Sequence, residues 1–217
     1  MASTSRPKPP ASKSVFINCP FDDGFVPILR AMVFTILAAG YHPRCALDST
    51  DGADIRVGKI AQMIGECDWG IHDLSRVEVE DGGLPRFNMP MELGLHLGAR
   101  ILGEKRHRRK RALILDAERH RYDRALSDIS GQDIESHQNS PDEAIRCVRN
   151  WLSEHRPRNA EPLPGAAALQ ADYRRFQAEI GPLLAPRRLD PDHLTHSDFL
   201  FAVSDWLMAQ AAAQQSR

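Results

Sequence analysis

The residues whose chemistry stands out are Asn18, Asp22, Asp48, Asp73, Ser75, Arg76 and Glu92. Each falls where an apolar run ends or a helical pattern begins. If the runs are parallel strands, these side chains share one rim, because ligands of doubly wound sheets bind outside the strands' carboxyl ends. Glu92 is the most informative of them. It opens a helix of small and apolar residues (Leu93, Gly94, Leu95, Leu97, Gly98, Ala99) and follows Asn88-Met89-Pro90-Met91. A first-turn carboxylate is stabilised by free N–H groups and the helix dipole. It is therefore expected to stay ionised at neutral pH, as a nucleophile or an electrostatic stabiliser requires. Gly94 and Gly98 would let a strand or ligand approach closely. A helix-start glutamate that merely suits the dipole would carry the same pattern, so both readings stand at this point.

The elements that must hold these groups follow from periodicity. A short apolar run at 14–19 ends at Pro20 and reads as a buried strand. Asp22-Asp23-Gly24 reads as a turn with a helix N-cap. A helix is expected over 25–39, with Pro27 in its first turn and Gly40 as its stop. A second strand is expected at 44–48 and a helix at 54–66. A third strand is expected at 69–73, a long polar loop at 75–88 and a third helix at 89–101. A fourth strand is placed at 111–116, helical character at 121–130 and a short edge strand near 133–135. A helix over 141–154 has Ser140 as N-cap, Pro141 at its first position and Glu143 at its third.

Alternation of this kind predicts an α/β fold, a flavodoxin-like doubly wound parallel sheet of about five strands with a small C-terminal helical appendage. The expected division is a disordered tail at 1–13, an α/β domain at 14–155, a proline-rich linker at 156–164 and a C-terminal helical segment at 165–217. That segment, with helices near 165–184 and 196–213 broken by Pro182, Pro186 and Pro191, is too small for a robust core of its own. It is expected to dock on the main domain or on a partner, as a homo-oligomer contact for example.

Bulk composition narrows the function classes. Net charge is −1, so the whole chain is not biased towards nucleic acid or acidic membrane. No apolar run approaches the ~20 residues of a membrane span, and the N-terminus lacks a signal-peptide core. A cytoplasmic, reducing location is the expectation. Cys19, Cys45, Cys67 and Cys147 make no CxxC pair and have no metal-type spacing with a histidine, so they read as buried small residues and no metal is expected. Cys19, near the rim, leaves open a reactive thiol. Asp73, Glu92 and His96 leave open a metal site, since i and i+4 share a helix face. The run 104–111 holds six Lys or Arg residues and reads as a solvated link on the rim opposite the candidate site, or as a nucleic-acid contact. Trp151, Phe199, Phe201 and Trp206 sit at helical spacings and read as core or interface.

The stretch Phe87-Asn-Met-Pro-Met-Glu-Leu-Gly-Leu-His-Leu-Gly98, after a strand ending in Asp73, resembles the nucleoside 2-deoxyribosyltransferase-like superfamily. In that superfamily an aspartate-ended strand and a polar loop lead to a helix opening with a Glu-Leu-Gly element. Val15-Phe-Ile-Asn18 similarly resembles the opening of the related TIR domains. The resemblance covers about 14–155. It implies Glu92 as the catalytic carboxylate at C1′ and Asp73 as a second catalytic or sugar-binding group. Asn18, Pro20, Phe21, Asp22, Asp48, Ser75, Arg76, Asn88 and Met89 would line the substrate. It further implies cleavage or transfer at a nucleotide N-glycosidic bond, with NAD as substrate rather than cofactor and a role in antiphage defence. The 75–88 loop would be a lid, with Arg76 or Arg86 for a phosphate. Asn88-Met89-Pro90 replaces the Gly-Thr of the transferases, and the Trp-Cys pair of TIR domains is absent. The alternative is a pocket that senses a nucleotide without turnover and signals through the C-terminal helices.

Overall fold

A computed structural model describes residues 9–48, 55–76, 86–119, 121, 126–129 and 131–215. Each strand is short, the three central ones are largely buried, and α-helices follow the first, second, third and fifth. The strands are β1 (Ser14–Asn18), β2 (His42–Cys45), β3 (Trp69–Asp73), β4 (Arg111–Asp116) and β5 (Ile134–Ser136). They form one sheet of order β2-β1-β3-β4-β5, and every pairing is parallel. The fold is α/β, doubly wound and flavodoxin-like.

The period of two sorts side chains onto two faces. Val15, Ile17, Ile71, Leu113 and Leu115 join the core shared with α1 (Val26–Ala38) and α4 (Pro141–His155). Phe16 and Ile114 face the smaller clusters under α2 (Arg56–Glu66) and α3 (Asn88–Leu102). Gly40, at φ 76°, ends the first helix in the left-handed region, where a side chain would be strained. Ser140 caps α4 by accepting the Glu143 N–H.

Several expectations change. Phe25, not the Asp22–Gly24 turn, occupies the N-cap of α1, and no side chain caps it. β2 stops at Cys45, and Asp48 sits on a 3-10 turn rather than at a strand end. Residues 11–13 form a 3-10 turn against β3, where Trp69 Nε1 donates to the Ser12 carbonyl at 3.1 Å. The rest of the expected tail, 1–8, lies outside the described residues, as does half of the helix expected over 121–130, whose described part holds a 3-10 turn at Ser127–Ile129.

The basic run is not a fully solvated link. Lys110 is buried, and its ammonium donates to the Ile64 and Cys67 carbonyls at the end of α2. The Ile64 carbonyl also accepts the Cys67 N–H at 3.3 Å, so the cation adds a second donor there, gives the Cys67 carbonyl a partner and complements the helix dipole.

The C-terminal helices α5 (Ala166–Leu184) and α6 (His196–Gln215) dock on the main domain. Phe34 of α1 meets Tyr173, Phe176 and Trp206 at ring-centroid distances of 5.2, 5.7 and 5.9 Å. Pro182 is accommodated inside α5 instead of breaking it. α1 is consequently covered on two sides, by the sheet and by this pair. Its buried run includes Met32, Val33, Phe34, Thr35 and Ile36, the all-round burial of a helix inside a core. No helix among the described residues is long and apolar enough to cross a membrane.

Candidate functional site

The strand order reverses direction between β1 and β3, which is where such sheets open a crevice. Asn18 stands at its floor. Its amide Nδ2 donates to the Met89 carbonyl at 2.8 Å and lies 3.2 Å from His72 Nδ1. One side chain thus ties the first turn of α3 to two central strands. The Met89 side chain points into the core with Leu74, Leu93 and Ile114, and Asn88 is exposed and caps nothing. Pro20 is buried, and half-buried Phe21 packs on the main core.

Glu92 faces this region from α3. Because the helix begins at Asn88, Glu92 lies beyond the first turn, and the expected dipole support is lost. The residue is only 6% exposed. Burial pushes its carboxyl up to about 7, against a weaker downward pull from Arg56 at the head of α2. The expectation of a fully ionised group is therefore corrected: near neutral pH the carboxyl is poised between its two forms. Gly94 and Gly98 have open space where a side chain would go, so neither marks a close approach. The glycine that does is Gly70, whose added Cβ would fall 2.7 Å from the rings of both His72 and His96. These two buried rings meet edge to face at 4.8 Å. Burial lowers both histidines, His96 to about 4, so they are neutral.

Asp73 does not join Glu92. It alternates with His72 and so turns to the α1 face. It has 0% exposure. Its Oδ1 accepts the Ser75 N–H at 2.9 Å, and its Oδ2 lies 3.0 Å from His137 Nε2. His137 Nδ1 accepts the Asn139 N–H at 3.1 Å, which assigns the proton to Nε2, between Asp73 Oδ2 and the Ser75 hydroxyl at 2.8 Å. Asp73 and Ser75 therefore belong to a buried network that locks the ends of β3 and β5. No spacing signal announced His137, which lies 62 residues from Ser75.

Asp22 and Arg76 do come together, as a two-pronged pair at 3.2 Å for both contacts, spanning from the β1 end to the β3 end. Arg86 adds a contact at 3.6 Å. Hydrogen bonding and charge from Arg76, with Arg86 behind it, hold the Asp22 carboxyl below its ordinary range despite partial burial. The Arg86 N–H reaches the Arg76 carbonyl at 3.3 Å, closing the base of segment 77–85, which lies outside the described residues. Both arginines expected to await a phosphate are thus already turned to Asp22.

Asp48 stands apart. Arg44 Nε binds its Oδ2 at 2.6 Å, and Cys45 and His196 lie on its other side. Cys19 is buried and its thiol is pushed well above its ordinary value by burial and by Asp73, so it is protonated and not an activated nucleophile. Asp73, Glu92 and His96 do not converge as metal ligands among the described residues.

The candidate site is thus the switch point itself, where Asn18, His72 and Glu92 are buried side by side and the Asp22–Arg76 pair spans the ends of β1 and β3. Exposed Ile55, Phe87 and Met91 stand at the starts of its two helices. Comparison with protein-family models, with curated proteins and with solved structures found no match to this chain.

Proposed function

We propose that this chain cleaves or transfers at the N-glycosidic bond of a nucleotide, with NAD as the first substrate to test. The observation that carries the reading is Glu92: a buried carboxyl, poised near neutrality, beside the switch point of a doubly wound sheet. Breaking a C1′–N bond develops oxocarbenium character, and a fixed carboxylate beside C1′ stabilises or captures it. A cationic base such as a pyridinium entering the crevice favours the charged form of Glu92 by direct attraction. Substrate binding would itself ionise the group that the reaction needs. Exposed Phe87 and Met91 supply apolar surface for a planar base. The resemblance to TIR-like and deoxyribosyltransferase-like proteins leads to the same chemistry and to a defence role. Assembly through the C-terminal helices would use their remaining exposed apolar residues, Phe201 and Met208.

One observation favours the alternative, a pocket that senses a nucleotide. The other expected carboxylates are already engaged: Asp73 by His137 and Ser75, and Asp22 by Arg76. The test is incubation of concentrated protein with NAD and with deoxynucleosides, followed by assay of released base. Release that disappears in a folded Glu92→Gln variant supports the enzyme. Tight nucleotide binding without release supports the sensor, and neither binding nor release refutes both.

A further inference from the structure

Two neighbouring side chains and one remote in sequence, all unused by the site above, converge at the end of β2. Cys45 is the last residue of β2, Asp48 lies on the following 3-10 turn, and His196 is the first residue of α6. Cys45 Sγ lies 3.4 Å from His196 Nε2 and 3.8 Å from Asp48 Oδ1, and His196 Nε2 lies 3.6 Å from Asp48 Oδ1. The Cys45 side chain is buried, and the His196 and Asp48 side chains are 7% and 17% exposed.

The geometry points to a zinc site formed by Cys45 Sγ, Asp48 Oδ1 and His196 Nε2, which fastens the head of α6 to the edge of the sheet. A tetrahedral Zn²⁺ holds sulfur at about 2.3 Å and nitrogen or oxygen at about 2.0–2.2 Å, so its donors stand roughly 3.3–3.6 Å apart. The three measured separations sit at or just above that range. The donor set, one soft thiolate, one imidazole and one carboxylate, suits zinc rather than calcium or magnesium.

Two simpler accounts fit less well. In a nucleophile–base–acid arrangement the acid and the nucleophile address opposite nitrogens of the imidazole. Here both address Nε2. In a plain hydrogen-bond cluster, that nitrogen carries one proton or one lone pair and serves one of its two neighbours, while Asp48 Oδ1 also accepts the Cys45 N–H at 3.2 Å. A cation serves all three donors at once. The surroundings are those of a supported ligand set: Arg44 Nε holds the outer oxygen Oδ2 of Asp48 at 2.6 Å, leaving Oδ1 turned inwards. A cavity of about 90 Å³ lined by Val26, Leu29, Leu47, Leu194, Thr195 and His196 opens beside the ring. It offers a route in and room for a water as fourth ligand.

The test uses the whole chain, stripped with a chelator and then titrated with Zn²⁺ alone and, separately, with Co²⁺ alone. The expected results are one zinc per chain, a rise in Tm of about 5 °C or more in saturating metal, and a thiolate-to-cobalt charge-transfer band. Cys45→Ser and His196→Gln should each weaken zinc binding at least about 100-fold, and Arg44→Met about 10-fold. Cys147→Ser, which removes a buried cysteine elsewhere, should leave it unchanged. Absence of stoichiometric zinc binding, or of the cobalt band in the unaltered protein, would overturn the site whether or not the variants fold. Undiminished binding in a folded Cys45→Ser protein would do the same.

Discussion

Replacing Glu92 by glutamine should make the protein more stable, and only above a certain pH. The carboxyl is nearly buried, and burial lifts its pKa from 4.5 to about 7. A raised carboxyl means that the folded state prefers the protonated form. Its favourable contribution is complete below the unfolded value and disappears as pH rises through the folded one. Between those pH values the native protein loses up to roughly 3 kcal/mol. Glutamine preserves the shape and never charges. At pH 4.5 the two proteins should therefore differ by less than about 0.5 kcal/mol, whereas at pH 8 the variant should be more stable by about 1–3 kcal/mol. Urea unfolding at a series of pH values measures this directly, with midpoints compared at equal slope. A stability difference that does not change between pH 4.5 and 8 would refute the argument, and with it the view that this carboxyl is held out of water at a cost. A group that strains its own fold is what a functional site tends to retain.

Other substitutions separate structure from function. Asp73→Ala should have the opposite sign, costing about 1–3 kcal/mol by leaving the Ser75 N–H without its acceptor and His137 with one partner fewer; chemical denaturation at pH 7 reads it. Phe176→Ala should cost about 3–5 kcal/mol in the same assay if the C-terminal pair completes the main core. Lys110→Met should cost about 1–3 kcal/mol, because the Cys67 carbonyl loses this donor and the Ile64 carbonyl keeps only the Cys67 N–H, and faster amide exchange there would locate the damage. Arg76→Ala should cost under about 1 kcal/mol, since the pair with Asp22 is partly exposed, yet raise the Asp22 pKa by carboxyl NMR titration.

The sheet was legible because its strands are short apolar runs punctuated by glycine, proline and aspartate; the bounds expected for the third and fourth strands match β3 and β4. The second strand was displaced by two residues. His42 and Pro43 pair with β1, while the acidic end that seemed to close the strand is a turn bonded back to Arg44. Asn18 and Glu92 were identifiable from their places at a strand end and a helix start. The Asn18–His72 contact and the His137 that engages Asp73 and Ser75 were not, because they are made by parallel strand register and by a 62-residue connection. Neither leaves a short-range spacing. The electrostatics of Glu92 were misjudged because its burial is set by tertiary packing and desolvates the carboxyl, while α3 begins one residue before its expected start and places the group beyond the first turn.

The double covering of α1 governs how this chain can be made. Until residues 166–206 leave the ribosome, Phe34 has none of the rings that enclose it. A nascent chain that already holds all five strands still displays a continuous oily face on its first helix. Such a chain is a client for chaperones, and the last helices act as a built-in replacement for them. Expression of 1–164 alone should give sticky, poorly soluble material, and supplying 165–217 as a separate polypeptide should restore solubility by closing the same face in trans.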